Sequence, residues 1–187
     1  MDLNKLSKEA FETAKAHGWH DEELPDETYL MLIITEIAEA VQADRKDKHA
    51  YKDKFLASLM PDDDGDMFSM LFEQYIKNSV EDELSDIIIR CLDLIALRGK
   101  GVYADEYMAK YLHDFLKREP SFPEVAYELC KFAVSTDESL GLSERIGGII
   151  SLVTSYCKQK DIDIDFFVDI KMRYNRLRPF KHGNKKY

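Results

Sequence analysis

The sequence predicts an all-α fold, and three observations lead to that prediction. Long segments repeat apolar residues at the three- and four-residue spacing of helices, and strand-like alternation is nearly absent. Only eight glycines and five prolines interrupt the 187 residues. A chain of this length forms one domain with a substantial core. We therefore expect a single helical bundle over residues 1–187.

Start and stop signals predict where each helix begins and ends. Gly18 ends the first predicted helix, Pro25 precedes the second, and Pro179 ends the last. Ser79 is a candidate N-cap, with Asp82 three residues later. In chain order, the predicted helices cover about 3–17, 26–46, 67–76, 79–99, 104–117, 123–134, 143–158 and 163–177.

Residues 47–78 differ in composition from the segments on either side. They are polar, include Pro61, and contain an acidic run at 62–66 that we interpret as a solvated loop. A helical pattern is present only near 67–76. We interpret 47–78 as an insertion between two core helices.

Charge and composition argue against several classes of function. The chain has 36 acidic and 26 basic residues, so its net charge of -10 argues against a nucleic-acid polymer as ligand. The apolar runs are far shorter than the roughly 20 residues that span a bilayer, and the N-terminus lacks the apolar segment of a secretory signal. We expect no membrane association. Cys91, Cys130 and Cys157 lie in apolar helical patterns without CxxC spacing, which predicts reduced core cysteines in a cytoplasmic protein.

The predicted helix at 79–99 carries charges inside an apolar pattern. Residues 84–97 are apolar on nearly all sides, as expected for a helix buried in a bundle. The charged residues are spaced three, four and three apart and so form one polar stripe: Glu83, Asp86, Arg90 and Asp93. Buried carboxylates are costly unless they find partners, so the stripe is a candidate site. Spacing alone is a weak signal, since Glu9 and Glu12 share it.

The predicted helix at 26–46 has a similar pair, Glu36 and Glu39, at the edge of its core face. If this pair faces Glu83 and Asp86, four negative charges occupy a small volume. A hard cation that prefers oxygen ligands, Mg²⁺ or Mn²⁺, would neutralise them. The two helices together predict a metal site.

These carboxylates also belong to three motifs that occur in a characteristic order. Glu36-x-x-Glu39 followed by Glu83-x-x-Asp86 has the form ExxE…ExxD. The sequence around the first pair has the pattern GW…L…E..EA…R, and the sequence around the second pair reads ELSDIIIR. A third motif, K..YN..R…HG, lies at 171–183. In these three motifs the chain resembles the MazG-like, all-α nucleoside triphosphate pyrophosphohydrolases.

One feature departs from that family. Glu39 and Glu83 are separated by the 43 residues 40–82, a longer gap than in compact members. We attribute the difference to the insertion at 47–78.

The resemblance implies a helical bundle, usually a homo-oligomer such as a dimer or tetramer, that cleaves (d)NTPs to (d)NMP and pyrophosphate. It implies Mg²⁺, or Mn²⁺, as cofactor. The implied metal ligands are Glu36, Glu39, Glu83 and Asp86, with Glu39 also orienting or deprotonating the attacking water. The implied contacts to phosphates or sugar are Lys171, Asn175, Arg178 and Lys181.

Some assignments have alternatives. Trp19 is either a platform that stacks on the nucleobase or an aromatic residue that covers the end of the bundle. Lys181 is either a ligand contact or part of a solvated tail. The dipeptides His20-Asp21 and His113-Asp114 leave open an HD-type phosphohydrolase. A helical adaptor or regulatory protein without catalytic activity is the remaining alternative, although the four carboxylates favour an enzyme.

Overall fold

A computed structural model describes residues 1–60, 65–137 and 140–181, and over these residues the chain is helical, with no strand. The predicted all-α fold is confirmed. The helices are α1 (Leu3–Ala16), α2 (Asp26–Asp44), α3 (Lys52–Ser58), α4 (Asp66–Tyr75), α5 (Val80–Leu97), α6 (Glu106–Leu116), α7 (Phe122–Ala133), α8 (Leu142–Gln159) and α9 (Ile164–Leu177). His182 and Gly183 of the predicted closing motif, and residues 62–64 of the acidic run, lie outside the described residues.

Local capping explains why several helices begin where they do. The Ser79 hydroxyl accepts a hydrogen bond from the backbone N–H of Asp82 at 3.2 Å, as predicted for the start of α5. Asp105 caps α6 in the same way, through the N–H of Met108 at 2.7 Å. A capping box formed by Ser121 and its partner three residues later starts α7. The predicted boundaries agree with the structure to within about two residues.

Helix α5 lies at the centre of the bundle and packs against α1, α2, α8 and α9. It is buried on nearly all sides, which explains its almost uninterrupted apolar sequence. Ion pairs join Arg90 to Glu36 and Arg98 to Asp26. Moving towards the C-terminus of α5 therefore means moving towards the N-terminus of α2, so the two helices are antiparallel.

The predicted insertion is packed against the rest of the protein. It contains α4, which was expected, and α3, which was not. Phe55 of α3 and Phe72 of α4 are completely buried. Phe72 stacks on Tyr174 of α9, with ring centroids 4.3 Å apart. The insertion thus covers one side of α9.

None of the helices in the described ranges is long and apolar enough to cross a membrane. All three cysteines are free thiols. Cys91 and Cys157 are buried as predicted, whereas Cys130 is only half-buried at the edge of the core.

Candidate metal and nucleotide site

A cavity of about 380 Å³ lies among α1, α2, α5 and α9. Eight of the nine predicted site residues line it: Trp19, Glu36, Glu39, Glu83, Asp86, Lys171, Asn175 and Arg178. The exception is Lys181, which does not line the cavity; its backbone N–H donates to the carbonyl of His17 at 3.0 Å. Residues from distant parts of the sequence therefore meet in one cavity.

Three of the predicted ligands form what we call the three-glutamate cluster: Glu36, Glu39 and Glu83. Each offers a carboxylate oxygen within 4.8 Å of the other two. Mg²⁺ binds oxygen at about 2.1 Å, so two ligands of one ion lie roughly 3–4 Å apart. The three carboxylate oxygens therefore lie close to that spacing. Glu36 and Glu83 are buried and Glu39 is exposed, which leaves an accessible side.

Asp86 lies beside this cluster and has a different partner. Its Oδ2 is 2.7 Å from the ammonium of Lys171, which also donates to Asp82 at 2.6 Å. Asp82 in turn accepts the backbone N–H of Asn78 at 2.8 Å. Lys171 is only 4% exposed, so it lies in the cavity wall with its ammonium bound by two carboxylates. Lys171 therefore acts as a buried counter-charge to Asp82 and Asp86.

Burial and mutual repulsion shift the pKa values of these groups. Burial is the main cause that raises the pKa of Glu83, and Asp82 and Asp86 add to it, giving about 9. Burial likewise raises the pKa of Glu36, although Arg90 opposes the shift by donating to its Oε1 at 2.5 Å. Without a cation, the cluster therefore holds a proton at neutral pH.

Lys171 shows the opposite balance. Burial by itself would lower the pKa of the ammonium, but the carboxylates of Asp86 and Asp82 outweigh burial and raise it. Lys171 therefore stays charged and forms ion pairs with both aspartates next to the cluster.

The chemistry of the cavity wall changes along α5. The three-glutamate cluster lies near the N-terminal half of α5, whereas the apolar and aromatic side chains of Trp19, Leu24 and Tyr29 line another part of the cavity wall.

Asn175 also lines the cavity, and its Oδ1 is buried without a hydrogen-bond partner in the described part of the chain. An unpaired buried acceptor is costly, so this position suits a ligand that donates a hydrogen bond.

Sequence reasoning did not identify Lys77 as a residue of the cavity wall. Lys77 donates to Glu73 at 2.9 Å and is 5.7 Å from the ring centroid of Tyr174. The guanidinium of Arg178 is also 5.7 Å from that ring, and both cations are half-buried and line the cavity. The sequence signal for Lys77 was its position two residues before Ser79, the N-cap of α5.

The HD dipeptides lie apart from any metal cluster found among the described residues. His20 is bound to Asp93, with 2.8 Å between Nε2 and Oδ1. His113 and Asp114 form an exposed contact at 3.3 Å. The candidate metal cluster is made of glutamates and includes neither histidine.

Searches of protein-family models, curated proteins and solved structures find no match to this chain. The motif residues are thus the sole support for the family resemblance, and membership of that family stays a prediction.

Proposed function

We propose that this protein is a metal-dependent nucleoside triphosphate pyrophosphohydrolase that cleaves (d)NTPs to (d)NMP and pyrophosphate. We further propose that it acts in the cytoplasm, as a homo-oligomer, in clearing unwanted nucleotides from the pool. The main support is that the three-glutamate cluster shares one cavity with Trp19, Asn175 and Arg178. Side chains suited to binding a metal ion and side chains suited to binding a nucleotide thus line the same cavity.

The three-glutamate cluster would hold Mg²⁺ or Mn²⁺. Its donor set is made of carboxylate oxygens, which these ions prefer. The raised pKa values of Glu36 and Glu83 mean that full ionisation requires a nearby positive charge. A bound divalent ion supplies charge neutralisation for the triphosphate and lowers the pKa of the attacking water.

The protein's own side chains then divide the remaining tasks. Glu39, the exposed member of the cluster, orients or deprotonates water. Arg90 fixes the orientation of Glu36 through the 2.5 Å hydrogen bond. Arg178 and Lys77, which are half-buried beside Tyr174, provide positive charge for the phosphates. Lys171 neutralises the aspartates behind the site and does not need to reach the substrate to be essential.

The position of cleavage, between the α- and β-phosphates, rests on the family resemblance. Clustered carboxylates and nearby cations would also serve cleavage at the γ-phosphate. The experiment is to incubate the protein with a panel of (d)NTPs and Mg²⁺ and to measure pyrophosphate and orthophosphate separately. Pyrophosphate release that stops in excess EDTA supports the proposal. A folded protein that binds nucleotides but hydrolyses none of them would favour the adaptor alternative.

A further inference from the structure

The polar stripe of α5 continues beyond the three-glutamate cluster to Asp93. With a rise of 1.5 Å per residue, Asp93 lies about 10 Å further along the helix than Asp86. Because α2 runs antiparallel to α5, this position is next to the N-terminal half of α2, where Tyr29 and Leu32 line the cavity. The negative charge of Asp93 is close enough to Tyr29 to raise the pKa of the phenol, after the larger effect of burial. The cavity thus has a carboxylate at each end.

Asp93 is held firmly in place. One of its oxygens, Oδ1, lies 2.8 Å from Nε2 of His20, whose side chain is only 6% exposed. The imidazole stacks on Phe11, with ring centroids 5.3 Å apart and an interplanar angle of 17°. The Asp93 side chain is 17% exposed and lines the cavity. His20 therefore fixes the carboxylate without covering it.

Acceptor positions on Asp93 remain available to a ligand. An ionised carboxylate has about four lone-pair positions and accepts hydrogen bonds only. Over the described residues, His20 is its one hydrogen-bond partner. Trp19, Leu24 and Tyr29 provide apolar and aromatic surface in the same cavity. This combination suits a flat ring with N–H groups on one edge.

We infer that Asp93 contacts the nucleobase of the substrate and selects guanine. This inference rests on the proposed function and specifies its substrate. Guanine presents two adjacent donors, N1–H and the 2-amino group, which a carboxylate accepts together. The amino groups of adenine and cytosine adjoin a ring nitrogen that is itself an acceptor and would repel Asp93. In uracil and thymine the single N–H lies between two carbonyl oxygens.

The spacing also agrees with a single bound nucleotide. The distance along α5 from Asp86 to Asp93, about 10 Å, is comparable to that between a base and its triphosphate chain. The base would lie near Asp93 and Tyr29, and the phosphates near the three-glutamate cluster and Arg178. Both carboxylate groups then act on one ligand, at opposite ends.

The test compares kcat/KM for GTP and ITP with Mg²⁺, because inosine lacks only the 2-amino group of guanosine. We expect the wild-type protein to prefer GTP over ITP by at least about tenfold, since a site built for a donor rejects an analogue without it. Asp93→Asn keeps the shape but presents an amide N–H₂, so the ratio should fall to about one. Asp169→Asn, on an exposed position of α9, should leave the ratio unchanged.

Two further measurements keep the outcome decisive. His20→Phe keeps an aromatic ring against Phe11 but removes the hydrogen bond to Asp93, so it should lower the GTP:ITP ratio even if Asp93→Asn does not fold. If no NTP is hydrolysed, the proposed function fails, and the ratio of Kd values for GTP and ITP from calorimetry decides the role of Asp93. A wild-type GTP:ITP ratio of about one would overturn the inference. A ratio that Asp93→Asn does not change would also overturn it.

Discussion

Replacing Glu83 with glutamine removes one charge from the buried part of the three-glutamate cluster while nearly preserving the side-chain shape. The folded protein raises the pKa of Glu83 from 4.5 to about 9, so the folded state binds a proton that the unfolded state releases. The stability contributed by that proton is complete below about pH 4.5 and is lost as the pH rises towards 9. Without metal, we expect Glu83→Gln to match the wild type at low pH and to exceed it at pH 8.

The size of the effect follows from the pKa difference. Each pKa unit corresponds to about 1.4 kcal/mol, so the roughly 3.5 units between the unfolded pKa of 4.5 and pH 8 give up to about 5 kcal/mol. Water entry and rearrangement of the cluster reduce that value, and we expect a gain of about 2 kcal/mol in the free energy of unfolding at pH 8. In Mg²⁺ the wild type should instead be more stable than Glu83→Gln, because Mg²⁺ stabilises the folded wild type by mass action and binds the glutamine amide more weakly.

Chemical unfolding followed by circular dichroism measures both effects, at two pH values, in EDTA and in excess Mg²⁺. Activity should fall by at least about tenfold in Glu83→Gln, equivalent to about 1.4 kcal/mol of transition-state stabilisation. Glu9→Gln is the matched control. It has the same acid-x-x-acid spacing, but Glu9 does not line the cavity and lies 3.8 Å from Lys5 and 3.9 Å from Arg176. It should change neither activity nor the response to Mg²⁺.

Two results would refute this reasoning. The first is a Glu83→Gln variant that is less stable than the wild type at pH 8 in EDTA, since removing a repelled charge should not destabilise the fold. The second is equal stabilisation of both proteins by Mg²⁺, which would mean that Glu83 is not a ligand.

Three further predictions concern the metal, the products and the buried ion pair. Hydrolysis should stop in excess EDTA and return with Mg²⁺ or Mn²⁺; full turnover in chelator would contradict a role for the cluster in metal binding. Chromatography should show NMP and pyrophosphate as products, and accumulation of NDP would point to another class of phosphohydrolase. Lys171→Met should lower the free energy of unfolding by about 3–5 kcal/mol at neutral pH, because it leaves the buried Asp82 and the half-buried Asp86 without their cation. A loss below about 1 kcal/mol in urea unfolding would contradict this prediction, because it would mean that Asp82 and Asp86 do not depend on Lys171 for charge neutralisation.

The helices could be predicted because their signals are local. Gly18, Pro25, Ser79 and Pro179 mark boundaries through backbone geometry and capping, which act within a few residues. Helix α3 was missed because seven residues with one buried aromatic, Phe55, are too short to show a periodicity. Phe55 packs against the rings of Phe68 and Phe166, which are contacts that the sequence does not reveal.

The site was predictable as a set of residues but not as a set of contacts. Carboxylates within an apolar helix identified Glu83 and Asp86, and the order of the motifs placed Lys171 in the same site. The pairing of Lys171 with Asp82 depends on how α9 packs on α5, and no spacing along the chain encodes that distance. Asp93 belonged to the predicted stripe, yet its link to His20 joins residues 73 positions apart.

The packing of residues 47–78 has a consequence for anyone who wishes to shorten this chain. Deleting that segment would expose the face of Tyr174 that Phe72 covers and would remove the backbone N–H of Asn78 from Asp82. A minimal fragment that keeps the cavity therefore has to retain α3 and α4. By contrast, among the described residues the cavity is lined without any contribution from α6, α7 or α8. Redesigning the exposed surface of α6 is accordingly the safer route to adding an affinity tag, a fluorophore or an immobilisation site.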